Sequence, residues 1–258
     1  MSFLVLGASV VLAAFVVVAG ALSLLVAAAA PFLRRLQSGG ARRRAAVLFS
    51  ACLLPTAGGL LAAFLLVLPA WIAHEPRHTR ERPGALLLAV AALGLLLLAS
   101  AAARVWRDHR RTRRALDGWL RAGEPLESPR PLPLPAWRVE HVFPLAAVAG
   151  VRRPRLLVAR AVAEALTGDE LRAVAAHEAG HVAAGDVPRR LALSACADPL
   201  RFSAGRAALE RSWEEAAEAA ADAFAAGTVP PVHLASALVK IAKLVPAGGR
   251  VAAELPAL

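Results

Sequence analysis

His177, Glu178 and His181 fall within one five-residue run, His177-Glu178-Ala179-Gly180-His181. On a helix, side chains four apart project from the same face, so both imidazoles can reach a single ion. Zinc accepts imidazole nitrogen, and a site with three protein ligands keeps its fourth position for water. Glu178 follows the first imidazole directly, which puts its carboxylate to the side of such an ion and within hydrogen-bond reach of that water. The ion lowers the pKa of the water, and the carboxylate takes the proton as general base.

The run is the His-Glu-x-x-His motif of zinc peptidases, and its surroundings agree with that chemistry. Thr167-Gly168-Asp169-Glu170 is a capping box that predicts a helix from Thr167 to about Gly185, independently of the histidines. Ala and Val surround the motif, as on a buried helix, where two imidazoles and a carboxylate are costly without a partner. A second helix is predicted over 206–226. On it Glu218 would complete a His2Glu ligand set, with Glu214 and Glu215 competing for the same part. Asp222, one turn on, is placed to accept a hydrogen bond from a ligand imidazole. Asp186 reads as the cap of a helix restarting at Asp186-Val187-Pro188, with a hydrogen bond to a ligand imidazole as the alternative. The chain contains no Tyr to hold a developing oxyanion. His233 and Arg206 are the candidates. Their plainer readings are a surface residue opening a last helix over 231–245 and a solvated helix residue.

The chain has 258 residues, 58% of them hydrophobic, and a mean hydropathy of +0.55. This is too apolar for an ordinary soluble domain and excludes a disordered chain. Two cysteines exclude a disulfide scaffold and any cysteine-based zinc module. Apolar runs over 3–30, 45–73 and 85–103 each exceed the roughly 20 residues that a spanning helix needs. The first has no basic leader and is longer than a signal-peptide core, so it reads as a retained helix. Pro55 and Gly58-Gly59 predict a kink in the second.

The net charge of +11 is carried by three short stretches: +5 over 34–44, +1 over 74–84 and +5 over 104–114. Residues 115–258 are neutral. The excess flanks the apolar runs, whereas a nucleic-acid-binding domain would carry it on its own face, so no nucleic-acid partner is expected. Basic loops stay inside. That rule puts the 34–44 and 104–114 loops, and everything after residue 104, in the cytoplasm of a multi-pass inner-membrane protein.

After a basic helix over 104–122, the stretch Glu124 to Pro135 is too Pro-rich for a helix and reads as an extended linker. Short β-compatible segments follow over 139–148 and 155–159, with Gly150 and Pro154 as turn signals. The predicted fold is a mainly α membrane protein, three transmembrane helices followed by an α+β metallopeptidase domain with a small hairpin or sheet. Its divisions are 1–103 (membrane), 104–136 (basic helix and linker) and 137–258 (zinc metallopeptidase domain).

From about Phe143 to Leu244 the chain resembles the membrane-bound gluzincin metallopeptidases, which include HtpX-like proteases and BlaR/MecR-type sensor peptidases. The segment LLVARAVAEALTGDELRAVAAHEAGHVAAGD is similar to the strand, helix and active-site helix of that family, and Glu218-x-x-Ala-Asp222 to its third-ligand segment. His181-x4-Asp186, Asp198-Pro199 and the preceding membrane helices resemble the BlaR-type branch. The resemblance implies one zinc ion at His177, His181 and Glu218, with Glu178 as base. It also implies an extended substrate paired by its backbone to an edge strand, for which 156–159 is the sequence choice. The activity expected is a membrane-anchored zinc endopeptidase acting on membrane-proximal or cytoplasmic proteins. The alternative is a BlaR/MecR-like signalling module with weak or no proteolysis. Expected partners are a protein or peptide substrate, the lipid bilayer, and a cytoplasmic repressor or another membrane protein.

Overall fold

The computed structural model describes residues 2–35, 39–77, 82–128 and 131–245. Residues 78–81 of the second loop and residues 129–130 of the Pro-rich stretch lie outside them. Helices dominate, and one small sheet follows the apolar half. The elements form two units, each discontinuous in sequence: 1–38, 46–105 and 192–213 in the first, and 39–45, 106–191 and 214–258 in the second.

The first unit is built on α1 (Ser2–Arg35), α2 (Ala41–Leu61), α3 (Leu68–His74) and the apolar part of α4 (Ala85–Ala122). Three helices, Phe3–Arg35, Ala41–His74 and Ala85–Ala122, are long and apolar enough to cross a membrane. The helix continues through Pro55, and the irregularity falls just beyond Gly58-Gly59, where Ala62–Val67 form a π-helical turn before α3. Such turns arise where the i→i−4 ladder slips by one residue. Val11, Phe15, Ala19, Ala63 and Ala101 form the apolar core. A polar network lies beside it. Ser23 Oγ donates to Asp198 at 2.6 Å, and the Arg104 guanidinium donates to the carbonyls of Ser194 and Cys196 at 3.2 and 2.7 Å.

The second unit holds a four-stranded sheet in the order β1-β2-β4-β3. Its strands are β1 (Glu124–Pro125), β2 (Ala136–Val139), β3 (Ala146–Ala149) and β4 (Arg155–Ala159). The start of the Pro-rich stretch pairs antiparallel with β2 rather than remaining a free connector. Strand β4 lies parallel to β2, with Ala136 opposite Leu156, and antiparallel to β3, with Val148 opposite Leu156. Leu156, Leu157 and Val158 are fully buried. The expected edge strand 156–159 is therefore an interior strand: its run of Leu and Val is covered on both sides, and β3 forms the edge. Small residues, Ala146, Ala147 and Ala149, give β3 the weaker strand signal.

Helices α5 (Arg160–Ala165), α6 (Gly168–Ala184), α7 (Asp186–Ser194), α8 (Ala204–Ala226) and α9 (Pro231–Leu244) complete the chain. Helix α6 is buried nearly all round, as its Ala-rich sequence requires. Leu171 and Ala175 join the core of the sheet, while Ala173, Val174 and Ala176 pack with Ala225 of α8 and with Leu234 and Ala237 of α9.

Candidate metal centre

The capping box forms as the sequence predicts: Thr167 Oγ1 accepts the Glu170 N–H, and the Glu170 carboxylate accepts the Thr167 N–H at 2.7 Å. Glu170 does more than cap. It accepts from Ser236 Oγ at 2.6 Å and from Lys240 Nζ at 2.7 Å, which ties the first turn of α6 to α9. Lys240, then Ser236 and the Thr167 N–H, hold the Glu170 carboxyl down at about 2. These partners lie 66 and 70 residues from Glu170, beyond the reach of any local pattern.

Two glycines shape the surroundings of the histidines. A Cβ on Gly180 would stand 3.0 Å from Ala221 Cα and 3.2 Å from Phe224 Cβ, so its absence lets α8 close on α6. Gly185 ends α6 with φ at 74°. That left-handed cap turns the chain so that Asp186 comes back against His181.

Helix α8 turns Ala217, Ala221 and Ala225 into the core. Glu218 and Asp222, one position on from the first two, lie on the flank facing α6. Glu218 Oε2 is 3.5 Å from His177 Nε2 and 3.6 Å from His181 Nε2, and the two Nε2 atoms are 3.2 Å apart. Behind the imidazoles, Asp222 Oδ1 lies 2.9 Å from His177 Nδ1, and Asp186 Oδ2 lies 2.8 Å from His181 Nδ1. Glu214 and Glu215 are exposed, and among the described residues Glu218 is the acid that joins the histidines in a potential metal-binding group.

The donor set fits a tetrahedral ion. The Asp186 hydrogen bond places the hydrogen of His181 on Nδ1, and the Asp222 carboxylate close to His177 Nδ1 favours the same tautomer there, although its angle does not make a hydrogen bond; both Nε2 lone pairs and an anionic oxygen then converge on one point. Three such donors repel one another unless a cation or protons lie between them. Zinc bonded at about 2.0–2.2 Å would set them about 3.3–3.6 Å apart, close to the separations found. Without an ion, protons fill the part. Burial disfavours the His181 imidazolium, but Asp186 and Glu218 outweigh it and raise the group to about 9. His177 is raised against the same opposition, chiefly by Glu218, and both imidazoles hold Glu218 well below the usual carboxylate range.

Glu178 reaches the sheet. Its Oε2 accepts the backbone N–H of Val148, on edge strand β3, at 3.0 Å. Burial pushes its carboxyl up, although the two histidines and this hydrogen bond pull the other way.

Asp186 opens α7 and is 2% exposed. Its first contact is the His181 imidazole, and Arg189 Nη1 lies 3.4 Å from its other oxygen. Of the two oxyanion candidates, His233 sits half-buried in the first turn of α9, and its backbone N–H donates to the Pro230 carbonyl. Arg206 is not solvated. It is 4% exposed and held by Asp198 at 3.3 Å, Glu210 at 2.9 Å and the Cys52 carbonyl, all within the first unit. Neither belongs to the His177–His181–Glu218 group. A cation that the sequence reading passed over does reach that group: Arg190 Nη2 lies 3.7 Å from Glu218 Oε1. The only signal for it was a basic pair, Arg189-Arg190, directly after Pro188.

Residues 145–243 match the model of peptidase family M48. No curated protein and no solved structure matches the chain. The matched segment runs from β3 to α9 and contains every residue of the cluster. It supports a peptidase of metallopeptidase type, a hydrolase, for this part of the chain.

Proposed function

We propose that the protein is a membrane-anchored zinc endopeptidase that hydrolyses peptide bonds of membrane-proximal or cytoplasmic proteins. The observation that carries this reading is the convergence of His177 Nε2, His181 Nε2 and Glu218 Oε2, with a carboxylate behind each imidazole and Glu178 beside them. The family match over 145–243 supports the same class.

His177, His181 and Glu218 would hold the ion, and Asp222 and Asp186 orient the two rings. Zinc, when bound, supplies a Lewis acid that polarises the scissile carbonyl and acidifies a coordinated water. Glu178 would take up a proton at Oε1, with Oε2 held by the Val148 N–H. The same carboxyl would then give that proton to the departing amine nitrogen. Strand β3 offers its outer edge to an extended peptide, so the substrate backbone would run beside Val148. The apolar helices would anchor the chain in the inner membrane, with the basic loops and the catalytic residues on the cytoplasmic side.

Elemental analysis of the detergent-purified full-length protein, together with cleavage of fluorescent casein, tests the reading. About one zinc per chain is expected, with cleavage that a strong chelator abolishes and added zinc restores. Failure to take up zinc on incubation with the metal would overturn it and leave a signalling module as the better account.

A further inference from the structure

We infer that Arg190 sets the way Glu218 binds the metal, by holding one carboxylate oxygen so that only the other is offered. This rests on the zinc-site reading above. The two oxygens of Glu218 are divided: Oε2 faces both imidazoles, at 3.5 and 3.6 Å, and Oε1 faces Arg190 Nη2 at 3.7 Å. Glu218 is 51% exposed, so packing alone does not fix its carboxylate.

Helix α7 carries the devices for two of the three ligands. Arg189 pairs with Asp186, which holds His181, and the next residue, Arg190, reaches Glu218. Pro188 stands in the first turn of this short helix, where its missing N–H costs nothing. A carboxylate free at both oxygens can chelate an ion with both, which would occupy the position that a substrate carbonyl or water needs. A guanidinium on Oε1 competes for that oxygen and keeps Glu218 monodentate. Arg suits this part because its rigid fork cannot lose its charge. Arg190 is therefore a positioning residue that acts through Glu218.

Two effects of removing Arg190 point the same way. A positive charge near the ion disappears, and a second oxygen becomes free to bind. The full-length protein with Arg190→Ala should hold zinc about three- to tenfold more tightly than wild type, measured against a chromophoric chelator. Substituted with Co2+, the variant should show weaker visible absorption, because the coordination number rises, and casein cleavage should fall. Arg190→Lys keeps the charge and should return all three readouts towards wild type. Looser zinc in Arg190→Ala would assign the residue a merely supporting role and overturn the inference, as would unchanged affinity and an unchanged Co2+ spectrum. Wild-type protein that takes up no metal would bring down the zinc-site reading and this inference together. Wild-type uptake with an unaltered Arg190→Ala variant removes only the inference.

Discussion

Glu178 is joined to the sheet edge: its Oε2 accepts the Val148 N–H at 3.0 Å. The bond fixes one carboxylate oxygen against edge strand β3, and in the proposed mechanism the other would take the proton. Helix α6 thus presents Glu178 to β3, and His177 and His181 to Glu218.

Glu178→Gln tests that division of labour. The glutamine keeps the volume and an oxygen for Val148 but cannot take a proton at neutral pH. Zinc content should equal wild type, while cleavage should drop by about 10²- to 10⁴-fold, the usual share of a general base. Cleavage at the wild-type rate would show that another group serves as base.

Asp186→Ala separates support from ligation. Asp186 is buried and touches His181 Nδ1 at 2.8 Å, so its loss frees the ring and leaves the N–H without its carboxylate. Zinc affinity should fall about 10- to 100-fold with the ligands intact. Chelator competition measures this, and an affinity equal to wild type would leave Asp186 as a helix cap only.

The motif and its helix were legible in the sequence because both depend on local spacing. The capping box, the histidines four apart and the turn at Gly185 are decided within about twenty residues, where periodicity and caps carry information. Glu218 was legible as one of three glutamates; choosing it required the close approach that Gly180 permits between α6 and α8. The edge strand was misread because strand propensity reports burial, and the most strand-like run, Leu156 to Ala159, is the most buried. Arg206 was misread for the converse reason: an Arg in an Ala-rich helix looks solvated until Asp198 and the Cys52 carbonyl enclose it. Arg190 and the Glu170–Lys240 pair depend on contacts between elements distant in sequence, and no local pattern announces them.

Zinc binding should depend steeply on pH. In the metal-free protein His181 is raised to about 9, with Asp186 and Glu218 overcoming the effect of burial. Zinc needs the neutral ring, so below that value it must displace a proton. Affinity should rise by about tenfold per pH unit for each proton displaced and level off near pH 9. The metal-free protein should behave in the opposite sense. A histidine raised on folding stabilises fully below its unfolded value of 6.5, and that contribution is lost as pH rises through about 9. Thermal denaturation of the metal-free protein from pH 6 to 10 should therefore show a falling Tm while zinc affinity climbs. An affinity flat from pH 6 to 9 would contradict the protonated His181.

Glu170→Gln should weaken the hold of α9 on α6, the helix that carries His177 and His181. The carboxylate accepts from Lys240, Ser236 and the Thr167 N–H, and it is almost fully buried. Losing the charge leaves Lys240 unpaired and weakens two further bonds, at about 1.5–3 kcal/mol for hydrogen bonds to a charged group. The sign of the pH dependence follows from the depressed value of about 2. The contribution is complete above the unfolded value near 4.5 and is lost as pH falls towards 2. Wild type should denature at a higher temperature than Glu170→Gln at pH 7, and the gap should narrow steadily below pH 4.5. A gap of equal size at pH 3 would mean that the carboxylate charge contributes nothing and that the variant acts through packing alone.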